Sequence, residues 1–217
     1  DAGLLRQHAL IGGQWCDADA GGRCEVRNPA NAALLGTVPE MAAAETRRAI
    51  DAAHAAFPAW AGKTADARAQ VLRDLHALML EHQEDLARLL TAEQGKPLAE
   101  ARGEITYSAG YLQWFAEQAR RMDGEVIQSH AADKRLLTLR QPVGVVGMIT
   151  PWNFPSAMLG RKLAPALAAG CTVVCKPALQ TPFSALALGE LAQRAGVPPG
   201  VINIVTGHDA AAIGAEM

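Results

Sequence analysis

The chain has 217 residues, half of them hydrophobic, with a formal charge of −2, which is enough apolar side chain for a sizeable core. No basic tract of the kind that binds nucleic acid is present, so nucleic acid is excluded as the expected partner. No apolar run reaches the length of a membrane span and the N-terminal "DAGLLRQHAL" lacks the apolar stretch of a secretory signal, so the expected location is the cytoplasm, away from membranes.

Residues 8 to 40 are rich in Gly, Asn and Pro and hold short β-like runs, "HALIGGQW", "CEVRNP" and "LLGTVP". They predict an N-terminal set of short strands and turns. From Ala42 the composition shifts to helix formers. "ETRRAIDAAHAAF" predicts a helix ended near Pro58, and "ADARAQVLRDLHALMLEHQ" places Val71, Leu72, Leu75, Leu78 and Met79 on one face. A third helix stops at Gly95. A fourth starts with Pro97 at its first position, and its stripe is Leu98, Ala101, Ile105, Ala109, Leu112 and Phe115. The Tyr and Trp residues of that helix are expected in the core.

"EVIQSH" and "RLLTLRQP" flank the polar turn "AADK" and predict a hairpin. After Gln141 strand and helix alternate. "VGVVGMIT" reads as a strand buried on both faces, "SAMLGRKLAPALAAG" as a helix closed by Gly170, and "CTVVCKP" as a second strand. "PFSALALGELAQRAG", "VINIVTG" and "DAAAIGAEM" supply helix, strand and helix again. The alternation predicts an α/β fold with a Rossmann-like parallel sheet. The expected organisation is 1–122 for the N-terminal strands and helices, 123–141 for a protruding β-hairpin, and 142–217 for the dinucleotide-binding part.

The four cysteines, Cys16, Cys24, Cys171 and Cys175, match no zinc spacing, and no metal is expected. Cys171 and Cys175 sit four strand steps apart, roughly 13 Å, too far for a disulfide. Reduced, buried thiols are the expectation.

Ligands of parallel sheets sit beyond the carboxyl ends of the strands. The three ends here are "TPWNFP", "KPALQTP" and "TGHDAA", offering Asn153, Lys176, the hydroxyls of Thr181 and Thr206, and the bare backbone of Gly207. A cation beside helix N-termini suits a phosphate-bearing ligand. No G-x-G-x-x-G follows the first strand, however. On composition alone Lys176 reads equally as a solvated strand-end lysine and Asn153 as a turn former.

"ITPWNFP", "KPALQTPFSALAL" and "GVINIVTG" resemble the aldehyde dehydrogenase superfamily, and "EQGKPLAEARGEI" resembles its succinate-semialdehyde branch. The resemblance runs over essentially the whole chain. It implies a cofactor domain with a β arm for homo-oligomers, dimer or tetramer, built on the 125–141 hairpin. It also implies that the catalytic cysteine and general-base glutamate lie beyond Met217. In the reaction so implied a thiolate adds to a small-molecule aldehyde, and the oxyanion of the thiohemiacetal needs a fixed donor. Asn153 matches that donor, and Pro151 and Pro155 hold its loop in few conformations. Thr150 and Trp152 would offer backbone groups to the cofactor.

Lys176 matches the lysine that bonds the adenosine ribose, with Ala178, Leu179 and Gly207 beside it. Many NAD-preferring relatives carry glutamate where Leu179 stands, and a carboxylate there repels a 2′-phosphate. The cofactor is therefore NADP or NAD, with NADP favoured. Arg161, eight residues after Asn153, matches an arginine that meets the substrate's far carboxylate; as a residue alone it reads also as a solvated or C-cap-directed arginine. Lys162 reads as surface or structural. Without a thiolate the chain by itself has no nucleophile, so the alternatives are a non-catalytic nucleotide-binding or assembly module, or an aldehyde dehydrogenase of another specificity, such as for glutarate semialdehyde or an aminoaldehyde.

Overall fold

The computed structural model describes residues 1–217. A one-turn helix at Ala2–Leu4 leads into strands β1 (Ala9–Ile11) and β2 (Gln14–Cys16). Gly12 and Gly13 turn this hairpin at positive φ, 61° and 83°, the conformation that glycine adopts without strain. β3 (Arg23–Arg27) and β4 (Leu34–Pro39) form a second, separate hairpin. In β3 the period of two puts Cys24 and Val26 inside and Arg23, Glu25 and Arg27 outside.

Four helices follow: α1 (Ala43–Ala61), α2 (Ala65–Glu81), α3 (Gln83–Gln94) and α4 (Leu98–Gln118). The first does not end at Pro58 but runs one turn past it. Proline forfeits a helical bond there; Trp60, 1% exposed, anchors the last turn in the core. Gly95 closes α3 in the left-handed region, and Pro97 stands just outside α4 as its N-cap rather than within it. Leu72, Leu75 and Met79 of α2 and Ala101, Ile105, Ala109 and Leu112 of α4 are buried as their spacing predicts. Each large apolar side chain so buried contributes about 1.5–3 kcal/mol. The aromatics of α4 depart from expectation: Tyr107 and Trp114 are more than half exposed. They lie one position off the buried stripe, on a face of α4 that no other part of this chain covers.

A short 3₁₀ turn, Ala119–Arg121, precedes β5 (Glu125–Ile127) and β6 (Leu136–Thr138). These strands pair only with each other, with Val126 opposite Leu137, and all six residues are exposed. Val126 is 91% exposed and Leu137 62%.

β7 (Val145–Ile149), α5 (Pro155–Ala169), β8 (Thr172–Lys176), α6 (Pro182–Arg194), β9 (Ile202–Ile204) and α7 (Ala210–Glu216) complete the chain. The sheet order is β2-β1-β9-β8-β7, with β7, β8 and β9 parallel and β1 antiparallel to β9. The N-terminal hairpin thus extends the parallel sheet. Asn203, fully buried on β9, fixes that junction: its Oδ1 accepts from Gly12 N at 2.8 Å and its Nδ2 donates to Gly200 O at 2.7 Å. β8 is buried throughout, but β7 is not buried on both faces as expected. It is an edge strand of the sheet, and only Met148 is fully enclosed.

One hydrophobic core joins α1–α6 to the sheet. α5 approaches α4 closely because Gly160 faces Ser108, where a Cβ would fall 2.5 Å from the hydroxyl. That hydroxyl donates to Ser156 O at 2.9 Å. Arg68, buried and facing no carboxylate, donates from Nε to Ala168 O at 3.0 Å and so binds α2 to the last turn of α5; burial holds its pKa below the usual value.

Candidate functional site

The parallel register sets Ile149 beside Lys176, and Thr150 N donates to Lys176 O at 3.2 Å. The β7–α5 loop and the end of β8 are therefore neighbours. Pro151 and Pro155 bracket the loop, Pro155 opening α5. Trp152, Asn153 and Phe154 between them are exposed.

This loop is held from below by two residues that sequence reasoning missed. Lys96 Nζ donates to Asn153 O at 3.1 Å and stands 3.9 Å over the Phe154 ring. The same ammonium pairs with Glu104 Oε2 at 2.6 Å, with both side chains almost fully buried. Glu104 Oε1 accepts from Ser156 N at 2.9 Å and Ala157 N at 3.1 Å, capping the start of α5. The Asn153 backbone oxygen is held by Lys96, and the residue itself is exposed. One signal was visible: Glu104 sits between Ala101 and Ile105 on the apolar stripe of α4, where an unpaired charge is costly.

Beside the loop is a groove of about 810 Å³. Lys176, Ala178, Leu179, Gln180, Gly207, His208 and Ala210 form one wall, and β3 and Glu93 contribute to the other. Of the expected cofactor residues, Lys176, Ala178, Leu179 and Gly207 are thus brought together; Thr150, Trp152 and Asn153 lie on the adjoining loop. Lys176 is 6% exposed, forms no ion pair, and burial lowers its pKa. Leu179 is half-buried, packs against the core, and offers the groove no acceptor. At Gly207 a Cβ would fall 2.2 Å from Met41 O, so a side chain has no room there.

Arg161 is exposed on α5, apart from the groove, with Tyr111 of α4 near enough to feel its charge. Lys162 donates to Ile149 O at 2.8 Å, a structural bond.

Carboxylates already occupy part of each helix N-terminus at this edge. Glu104 already caps α5. Glu93 caps α6, accepting from Phe183 N at 2.8 Å and from Ser184 N at 2.7 Å and Oγ at 2.5 Å. Burial pushes Glu93 up to about 7 despite those three bonds. The Asp209 carboxylate accepts from Ala212 N at the start of α7. The Thr206 hydroxyl donates inward to Pro39 O at 2.6 Å and is not offered to a ligand. The Thr181 hydroxyl is buried with no protein partner.

All four cysteines are free. Burial pushes the Cys175 thiol up to about 12, and burial with a hydrogen bond to Glu40 does the same for Cys24. Burial also raises Cys16. None of these three has the character of a reactive thiolate.

The profile of the aldehyde dehydrogenase family matches residues 15–217. The chain is 61% identical over 217 residues to the NADP(+) succinate-semialdehyde dehydrogenase GabD of Escherichia coli (strain K12), covering 100% of this chain and 45% of that protein. It is 58% identical, with the same coverage, to glutarate-semialdehyde dehydrogenase of Pseudomonas aeruginosa. The crystal structure of an E. coli NADP-dependent enzyme superposes with a TM-score of 0.98 at 61% identity, covering 100% of this chain and 45% of the other. The chain spans a little under half the length of these relatives.

Proposed function

The chain belongs to the aldehyde dehydrogenase family, and from that premise we propose that it forms the dinucleotide site and oxyanion-binding loop of an enzyme that oxidises a carboxylated aldehyde. Succinate semialdehyde is the first candidate and glutarate semialdehyde the second, since similar proteins carry both names. NADP is favoured over NAD. The observation that carries the reading is an exposed Asn153 on a clamped peptide, on the loop beside a groove lined by a buried Lys176 that forms no ion pair.

The groove fits a dinucleotide in size, in its donor, and in the bare backbone at Gly207. When bound, the dinucleotide supplies a hydride acceptor. The residues of this chain do the rest of what is assigned here. Lys176 donates to ribose hydroxyls, and Leu179 leaves space for a 2′-phosphate without repelling it. Thr150 and Trp152 present backbone groups along the loop. Asn153 donates its side-chain N–H to the oxygen on which negative charge develops, and rigid placement makes that donor effective without reorganisation. The nucleophilic thiolate and the general base come from outside residues 1–217. Arg161, free of any internal ion pair, holds the substrate's distal carboxylate through its planar fork.

The exposed, apolar β5–β6 hairpin is assigned to pairing between subunits, because an open strand edge is a liability that a partner removes.

The test uses the complete enzyme, with Arg161→Gln assayed on succinate semialdehyde and on an uncharged aldehyde of equal length. Loss of a charged hydrogen bond of ~1.5–3 kcal/mol should raise KM roughly 10- to 100-fold for the former. An equal effect on both substrates would remove the carboxylate from the reading.

A further inference from the structure

At the edge of the groove, three side chains from distant segments converge. Cys24 of β3 donates from Sγ to Glu40 Oε2 at 2.6 Å and lies 3.1 Å from His208 Nδ1. His208 Nδ1 is 2.9 Å from the same Glu40 oxygen. All three ligand atoms lie within 4.8 Å of one another. The groove is lined by Cys24 and His208, so one side of this triangle is open to it.

The arrangement is not a nucleophile with its base. A relay would use the two ring nitrogens of the histidine in turn, whereas both partners here meet Nδ1. The backbone also preorganises the triangle. Met41 N donates to Thr206 O at 2.9 Å, Thr206 Oγ1 to Pro39 O at 2.6 Å, and Glu40 N to Gly22 O at 2.8 Å. Glu40 and His208 are thus held by the strand ends that carry them, and His208 N donates to Glu40 Oε1 at 3.2 Å.

We propose that Cys24, Glu40 and His208 form a three-ligand site for a borderline-soft divalent ion of the Zn²⁺ class, with a fourth position open to the groove. One sulfur, one imidazole nitrogen and one carboxylate oxygen suit zinc and disfavour calcium or magnesium, which prefer all-oxygen shells. With bonds of ~2.3 Å to sulfur and ~2.0–2.2 Å to nitrogen and oxygen, tetrahedral ligands stand roughly 3.4–3.6 Å apart. To reach that spacing the two edges that meet His208, 3.1 and 2.9 Å, open by about half an ångström, and the Cys24–Glu40 edge, 2.6 Å, by about 1 Å. On binding, the proton on Cys24 Sγ leaves to solvent, and the sulfur, oxygen and nitrogen lone pairs become the three metal bonds. Such an ion would join the β3–β4 hairpin to the carboxyl edge of the parallel sheet. The spacing rules for zinc motifs do not find this site, because its ligands are 16, 168 and 184 residues apart.

The test titrates Zn²⁺, and Co²⁺ as a spectroscopic substitute, into metal-free protein. The expected result is one tight equivalent of Zn²⁺, a thiolate-to-cobalt charge-transfer band, and a rise in unfolding temperature with zinc concentration. His208→Ala changes an exposed side chain and should fold. It should weaken binding roughly a hundredfold or more, since even loss of a group that only orients a ligand costs 10- to 100-fold. Cys24→Ser should abolish the band, and Glu40→Gln should weaken zinc without abolishing it. The proposal is overturned by the absence of a thiolate band, or by a band and affinity that His208→Ala and Glu40→Gln leave unchanged. If Cys24→Ser fails to fold, those two variants decide the matter alone.

Discussion

Lys96→Met tests whether the Asn153 loop depends on the buried ion pair beneath it. The substitution keeps the length of the side chain and removes the ammonium that meets Glu104 at 2.6 Å, Asn153 O at 3.1 Å and the Phe154 ring at 3.9 Å. At an effective dielectric near 20, opposite charges at that separation attract by about 6 kcal/mol before desolvation is subtracted. Breaking one partner of a buried pair costs about 3–5 kcal/mol, because the other charge stays buried. For a chain of this size that corresponds to a fall in unfolding temperature of roughly 6–20 °C. The second effect is on chemistry. With its peptide oxygen released, Asn153 loses its fixed aim, and a displacement near 1 Å can cost about a hundredfold in rate. The assay is pre-steady-state hydride transfer per folded site in the complete enzyme, alongside thermal unfolding. A stability loss with an unchanged rate per folded site would refute the positioning role and leave Lys96 purely structural.

The other predictions address separate parts of the site. Asn153→Ala should lower kcat roughly a hundred- to a thousandfold with little change in cofactor affinity; normal hydride transfer would sink the oxyanion role. Leu179→Glu should shift preference toward NAD, since the new carboxylate accepts from ribose hydroxyls and repels a 2′-phosphate; an unchanged ratio of NADP to NAD efficiency counts against it. Val126→Glu on the exposed hairpin should shrink the oligomer in sedimentation, and an unaltered size would disconnect the arm from assembly. Glu93 sets a pH dependence: its folded pKa is raised from 4.5 to about 7, so its proton is bound more tightly in the folded state. Its favourable contribution is complete below about pH 4.5 and is lost as pH rises to 7, about 3 kcal/mol in all. Glu93→Gln should flatten that slope in urea unfolding, and an unchanged slope would show the group titrates elsewhere.

Local rules captured much of the fold. The change from a period of 3.6 to short β-branched runs located the strand–helix alternation, and Gly95 and Gly170 ended their helices as glycine in the left-handed region does. Rules that ignore tertiary packing failed. A buried Trp60 carried α1 past Pro58, and edge position exposed β7. Tyr107 and Trp114 were assigned to the core by hydrophobicity, yet their helical phase places them off the stripe. The carboxyl-edge loops were legible because each follows a strand. The groups that support them were not: Lys96 and Glu104 reach the 153–157 segment across about fifty residues, and no spacing rule relates them.

The carboxylate caps explain why no glycine-rich fingerprint follows β7. In an ordinary βαβ nucleotide site the glycines let a pyrophosphate approach the N-terminus of the first helix. Here Glu104 occupies the amides of Ser156 and Ala157, Glu93 those of Phe183 and Ser184, and Asp209 that of Ala212. A phosphate brought to ~4 Å from any of these carboxylates would meet a repulsion of about 4 kcal/mol if the carboxylate is charged. Close backbone approach would gain nothing there, so nothing requires glycine. The caps do something else instead. Glu93 ends α3 and Glu104 sits in α4, so the two helices grip α5 and α6 by their first turns, where the Asn153 and Leu179 loops enter. On the proposed reading nucleotide affinity then falls to Lys176, Gly207 and the groove, and the bonds that close the helix ends are the same ones that fix the backbone of the Asn153 loop.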